Sequence, residues 1–263
     1  MIAGAAEGEG PALLLLHGGP GLSDYMELLG PEVTGWRAIR YQQRGLAPSA
    51  AGGPFTVAQH AADAIAVLDA CGVSRAVVLG HSWGAHLALH LAVTHPGRVA
   101  GLVLVDGLGV IGDGGVADLG QALVSRLSPE GMTRLMELAG AEPSDDAATE
   151  QTRLLWPGYF ADPARTAAWP PGLRTSLAAY AGTFASIAEQ LAGGFAAALP
   201  AITAPAVFVL GADSPMPVSQ GQQTAALIPS AEVQVIPRAG HLPWYEQPGC
   251  VAGALARVRS QAR

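Results

Sequence analysis

The chain has 263 residues, half of them hydrophobic and 13% charged, with a formal net charge of −7 at pH 7. That length holds one α/β core with a large insertion. The 14 basic side chains are all arginines spread along the sequence, which gives no basic patch for nucleic acid or an anionic membrane, and the lack of lysine excludes a P-loop and Schiff-base or pyridoxal chemistry by residue type.

The first ten residues are rich in Gly, Ala and Glu, with neither a basic nor an apolar leader segment. They read as a loose arm or the remnant of an edge hairpin, and a cytoplasmic location is expected. Ala12 to Leu16 is a continuous apolar run, as for a strand buried on both faces of a parallel sheet. It ends in His17-Gly18-Gly19-Pro20-Gly21, a loop whose backbone can approach a ligand with free glycine N–H groups. A helix is predicted around Tyr25 to Leu29. Arg37 to Tyr41 is the next strand, followed by the Gln42-Gln43-Arg44-Gly45 turn. Thr56 and Gln59 have the form of a capping box, and Val57, Ala61, Ile65 and Leu68 continue at helical spacing until Gly72.

Val77 to Gly80 is a strand that runs into Gly80-His81-Ser82-Trp83-Gly84, and helical apolar spacing covers Trp83 to Thr94. A Gly-x-Ser-x-Gly turn holds its serine in a strained conformation at the strand's carboxyl edge, with small residues where neighbouring backbone passes close. The following helix start aims unpaired N–H groups and its positive dipole end at the same spot, which favours an anion there. Gly101 to Val105 is another apolar strand, ending at Asp106. Repeated strand and helix units of this length predict a mostly parallel, doubly wound sheet.

From Leu108 to Leu199 the strand-like runs vanish and short helices are predicted, broken at Pro129, Pro143, Pro157, Pro163, Pro170 and Pro171. Residues 109–199 thus read as a helical cap between core segments 1–108 and 200–263. Trp156, Tyr159, Phe160, Trp169, Tyr180 and Phe184 concentrate there, as the insertion's own core or as a pocket lining. Ala206 to Leu210 resumes the sheet and ends in Gly211-Ala212-Asp213. Glu232 to Ile236 is the final strand, leading to Gly240-His241, and Pro248 to Arg259 is a closing helix. Cys71 and Cys250 have no metal-ligand spacing and are expected to be free thiols.

Ser82, Asp213 and His241 each follow the carboxyl end of a predicted strand, the edge where open parallel sheets build their sites. A serine hydroxyl needs an adjacent base, and a histidine serves if a carboxylate fixes its tautomer. Asp106 also ends a strand and competes for the acid role; the Gly-x-Asp turn ahead of His241 favours Asp213. His86 and His90, four apart on one helix, have no zincin pattern around them, and Glu246 is read as an anchor of the His241 loop or a cap of the last helix.

His17 to Gly21, the Gln43-Arg44-Gly45 turn and Gly80 to Gly84 together resemble the proline iminopeptidase-like branch of the α/β-hydrolase superfamily, over about residues 12–108 and 200–260. The resemblance implies an α/β-hydrolase fold with a helical cap inserted after the sixth strand. It implies Ser82 as nucleophile, His241 as base and Asp213 as acid, with an oxyanion hole from the N–H groups of Trp83 and Gly19 and Gly18 as the neighbouring candidate. The Trp-Glu pair by which such aminopeptidases read a free amino terminus is replaced here by Ala168-Trp169-Pro170-Pro171, with Glu150 and Glu189 as substitutes. The expected activity is therefore cleavage of an ester, lactone or activated amide with an apolar or neutral acyl group, without cofactor or metal and with no nucleic-acid or membrane partner. The alternatives are an aminopeptidase, a carbon–carbon bond hydrolase, and a binding protein that has lost turnover.

Overall fold

The structure is a computed structural model that describes residues 1–162 and 165–261. Its strands are β1 (Gly4–Glu7), β2 (Ala12–Leu16), β3 (Arg37–Tyr41), β4 (Ala76–His81), β5 (Val99–Val105), β6 (Ala206–Gly211) and β7 (Ala231–Ile236). They form a seven-stranded sheet in the order β1-β3-β2-β4-β5-β6-β7. Every pairing is parallel except that of β1, which runs antiparallel to β3 with Gly4 opposite Tyr41. The N-terminal arm is thus a true edge strand.

Alternation along the central strands feeds two apolar layers. Leu14, Val78, Leu102 and Phe208 point to one face, where α1 (Val57–Ala70) and α2 (Trp83–Thr94) cover them. Leu13, Val77, Val103 and Val207 point to the other, against Val251, Leu255 and Val258 of the C-terminal helix. Both faces being covered is why every residue of β4 and β6 is buried and why these strands read as unbroken apolar runs. The predicted cap of α1 is present, the Thr56 hydroxyl accepting from the Gln59 N–H at 3.1 Å.

Between β5 and β6 lie α3 (Val116–Ser125), α4 (Pro129–Ala139), α5 (Asp145–Leu155) and α6 (Leu177–Ala192), with short 3-10 turns. Ser128, Ser144 and Ser176 accept from backbone N–H groups at the starts of α4, α5 and α6. The core then closes with α7 (Val218–Ala225), α8 (Pro243–Glu246) and α9 (Cys250–Gln261). The insertion follows the fifth strand of this chain, not the sixth as expected, since a single antiparallel strand, β1, precedes β2. The helix expected at Tyr25 to Leu29 is instead 3-10, Met26–Val33, kinked at Gly30 (φ 43°) ahead of Pro31. Pro163, one of the predicted breaks, lies outside the described residues. Among the described residues no helix is long and apolar enough to cross a membrane.

Candidate active site

Ser82 joins β4 to α2 with φ 55° and ψ −121°, a conformation that costs on the order of 1–3 kcal/mol for a residue with a side chain. Its surroundings hold it there. The Ser82 N–H donates to the Val105 carbonyl at 3.0 Å, and its carbonyl accepts from the Ala85 N–H at 3.0 Å. A Cβ at Gly80 would lie 2.2 Å from the Gly84 carbonyl oxygen, and one at Gly84 would lie 2.0 Å from that of Leu16. The turn is wedged against the end of β2, and both flanking positions must be glycine.

The loop after β2 folds over this turn. A Cβ at Gly18 would sit 2.6 Å from the Ser82 Cβ, so the loop backbone lies directly on the serine. The Gly18 N–H donates to the Tyr25 hydroxyl at 2.8 Å. This corrects the expectation that Gly18 is a candidate oxyanion donor, since its proton is already committed. Gly19 (φ 55°) and Trp83 face the same cavity as Ser82, and Trp83, as the first residue of α2, has no intrahelical acceptor for its N–H. The Gln43-Arg44-Gly45 turn braces both loops. Gln43 accepts from the Trp83 indole N–H at 2.8 Å and donates to the His17 carbonyl at 3.0 Å, while Arg44 grips Asp63 with two 2.6 Å contacts in a buried ion pair.

His241 is buried, with its Nδ1 2.7 Å from Oδ2 of Asp106. The carboxylate can only accept, so Nδ1 carries the proton and Nε2 is left with a lone pair. Asp106 follows β5 with φ 46°, in the left-handed region that Asp tolerates better than most residues. Its carboxylate also accepts from the Gly211 N–H at 3.1 Å and from the Ser214 hydroxyl. The Asp213 assignment is therefore corrected. The turn after β6 does reach the site, but it offers a backbone N–H and Ser214; Asp213 itself is exposed, and its backbone bonds to Ala239 and Arg126. The His241 loop is further clamped by the His241 N–H donating to the Tyr159 carbonyl at 2.7 Å and by Glu246, which accepts from the N–H groups of Gly240, Ala161 and Asp162. Glu246 is thus the anchor the sequence suggested. The Tyr159 ring stacks on the imidazole, 5.2 Å between centroids at 29°.

Ser82, His241, Gly19 and Trp83 open onto one cavity of about 280 Å³. Its walls are largely apolar, with Leu108, Leu119, Leu123 and Leu155 beside Trp156, Tyr159, Tyr180 and Phe184; Gln151, Thr152 and Thr175 are the polar part. Among the described residues no Asp, Glu, Arg or Lys side chain lines it. Phe160 and Trp169, expected as pocket residues, do not line it. Both sit edge-on to the Trp156 indole at 5.5 Å and join the apolar layer that also holds Leu13, Val77 and Trp244. Glu150 pairs with Arg134 on the surface and Glu189 is exposed, so neither supplies a carboxylate to the cavity. His86 and His90 are bridged by the Gln190 amide at 2.8 and 2.6 Å. Sequence reasoning gave Tyr25 no part in the site, although a tyrosine eight residues after a Gly-rich loop's first histidine is within reach of that loop.

The family model for the α/β-hydrolase fold matches residues 11–248. A Caulobacter vibrioides protein named as a carbamate hydrolase, RutD, is 30% identical over 247 residues, covering 86% of this chain and 87% of its own. The 2-hydroxymuconate semialdehyde hydrolase of Pseudomonas putida is 37% identical over 115 residues, 40% of this chain and 39% of its own. Among solved structures, a hydrolase from Pseudomonas aeruginosa superposes with a TM-score of 0.69 at 24% identity, covering 98% of this chain and 94% of its own. With a matched core, a positive-φ serine at the strand-to-helix turn and a buried histidine–carboxylate pair at the same sheet edge, the chain belongs to the α/β-hydrolase family and is a hydrolase.

Proposed function

We propose that this hydrolase cleaves an uncharged carboxylic ester, lactone or activated amide through an acyl-enzyme. The observation that carries the reading is the His241–Asp106 pair opening onto the same uncharged cavity as Ser82. Ser82 is the nucleophile: its oxygen attacks the substrate carbonyl carbon while Nε2 of His241 takes the hydroxyl proton. Asp106 fixes the imidazole tautomer and stabilises the imidazolium that forms. The N–H groups of Trp83 and Gly19 hold the oxyanion, each such donor worth about 3 kcal/mol. His241 then returns the proton to the leaving group, and water, deprotonated by the same imidazole, releases the acid.

Residues 109–199 act as the cap that closes the acyl pocket. Burying a charged substrate group there without a partner would be costly, which supports a neutral acyl group and speaks against recognition of a free amino terminus. The carbamate named for the Caulobacter relative has a carbonyl suited to the same chemistry and belongs on the substrate panel. A fluorophosphonate probe should label the protein at Ser82, and Ser82→Ala should abolish the adduct; labelling that persists at another serine contradicts the assignment. Short-chain p-nitrophenyl esters should be turned over at least about tenfold faster than a prolyl arylamide, a ratio equivalent to about 1.4 kcal/mol. A preference for the free-amine substrate would favour the aminopeptidase instead.

A further inference from the structure

A chain of hydrogen bonds outside the triad ties its three loops together. The Gly18 N–H donates to the Tyr25 hydroxyl at 2.8 Å; that hydroxyl lies 2.6 Å from Nδ1 of His81; and Nε2 of His81 lies 2.8 Å from the His241 carbonyl oxygen. Chemistry fixes every proton in it. A carbonyl can only accept, so Nε2 of His81 is the protonated nitrogen. Burial holds the His81 imidazole neutral, its protonation lying well below the ordinary histidine range. Nδ1 is then a lone pair, the phenol donates to it, and the phenol oxygen is left to accept the Gly18 amide. Tyr25 is 5% and His81 2% exposed, and the Trp244 ring seals His81 edge-on at 4.9 Å.

Each end of this chain abuts a group that the proposed mechanism uses. Gly18 precedes Gly19, His81 precedes Ser82, and the last acceptor is the backbone of the base itself. We propose that Tyr25 and His81 are positioning residues, which hold the oxyanion loop and the His241 loop at a fixed separation across Ser82. By taking the Gly18 proton, Tyr25 leaves the neighbouring Gly19 N–H as that loop's donor to the oxyanion. The inference rests on the acyl-enzyme reading above. It adds that the oxyanion donor is selected by a side chain, Tyr25, that borders the same cavity as Ser82.

Tyr25→Phe keeps the ring and deletes the one atom shared by both hydrogen bonds. With p-nitrophenyl butyrate, kcat should fall about ten- to hundredfold while KM stays within about threefold, because misplacing a donor by a fraction of an ångström weakens only the transition state. Affinity for an alkyl trifluoromethyl ketone, which forms a tetrahedral adduct, should fall by the same factor as kcat. His81→Gln cuts the chain at its other end, and the double variant should lose little more than the worse single one, as members of one network do. Unchanged kcat and ketone affinity in Tyr25→Phe, or losses that simply multiply, would overturn the proposal. Should either variant not fold, the unsubstituted protein decides: its ¹⁵N-histidine spectrum should show His81 as the Nε2–H tautomer, and the Nδ1–H tautomer would overturn it. A native protein that takes no fluorophosphonate at Ser82 refutes the acyl-enzyme reading itself, a result distinct from all of these.

Discussion

Ser82 keeps a backbone conformation that no local preference of serine would choose, so the cause lies in its neighbours. Gly84 lets the turn pack against the Leu16 carbonyl, and Gly80 against the Gly84 carbonyl, at distances that admit no Cβ. Gly84→Ala should therefore cost at least about 2 kcal/mol, the range for an overpacked site whose obstacle is backbone, and should slow fluorophosphonate labelling by displacing the serine. Urea unfolding checks the first part; a variant as stable as the parent would show that the turn has slack. The same residue scale explains the one error in the expected triad. The sequence places both Asp106 and Asp213 at strand ends, and a turn's spacing cannot say whether the side chain or the backbone of that turn enters the site. Here Asp106 turns inward at φ 46° and collects the Gly211 N–H and the Ser214 hydroxyl.

At the scale of elements, α6 docks on α1 and α2 through buried histidines. Nε2 of His60 meets the Thr183 hydroxyl at 3.0 Å while its Nδ1 has no hydrogen-bond partner among the described residues, and His86 reaches Gln190. Burial is the main cause that lowers both imidazoles to about 4 from the ordinary 6.5. The unfolded chain then binds more protons than the folded one between those two pH values, so stability is complete above about pH 6.5 and falls as pH drops toward 4. Each histidine adds a slope of up to about 1.4 kcal/mol per pH unit. Urea midpoints should drop between pH 7.5 and 5, and His60→Asn should flatten the trend; identical profiles for parent and variant would contradict this account of the contact. Strands β2, β4, β5 and β6 were legible because parallel strands buried on both faces read as unbroken apolar runs. The Met26–Val33 turn was not, since its apolar spacing suits either helix type and the Gly30 kink decides.

On the scale of the whole molecule, the cavity emerges from segments that no spacing rule connects. Loops after β2, β4 and β7 supply the polar groups, α3, α5 and α6 supply the walls, and the absence of charge belongs to their sum. That is why Trp156, Tyr159, Tyr180 and Phe184 could be picked as aromatic residues of the insertion, yet could not be separated from Phe160 and Trp169, which turn inward onto Trp156. Ser82 was readable because it ends a run that only a buried strand explains, and His241 because it follows the alternating final strand; Tyr25 and Asp106 act through partners distant in sequence. The most direct test of the catalytic account is the pre-steady-state burst of p-nitrophenol from p-nitrophenyl butyrate in two variants side by side. Asp106→Asn should slow acylation by about three to four orders of magnitude, and Asp213→Asn should stay within about twofold of the parent; the reverse ranking would contradict the triad proposed for this hydrolase.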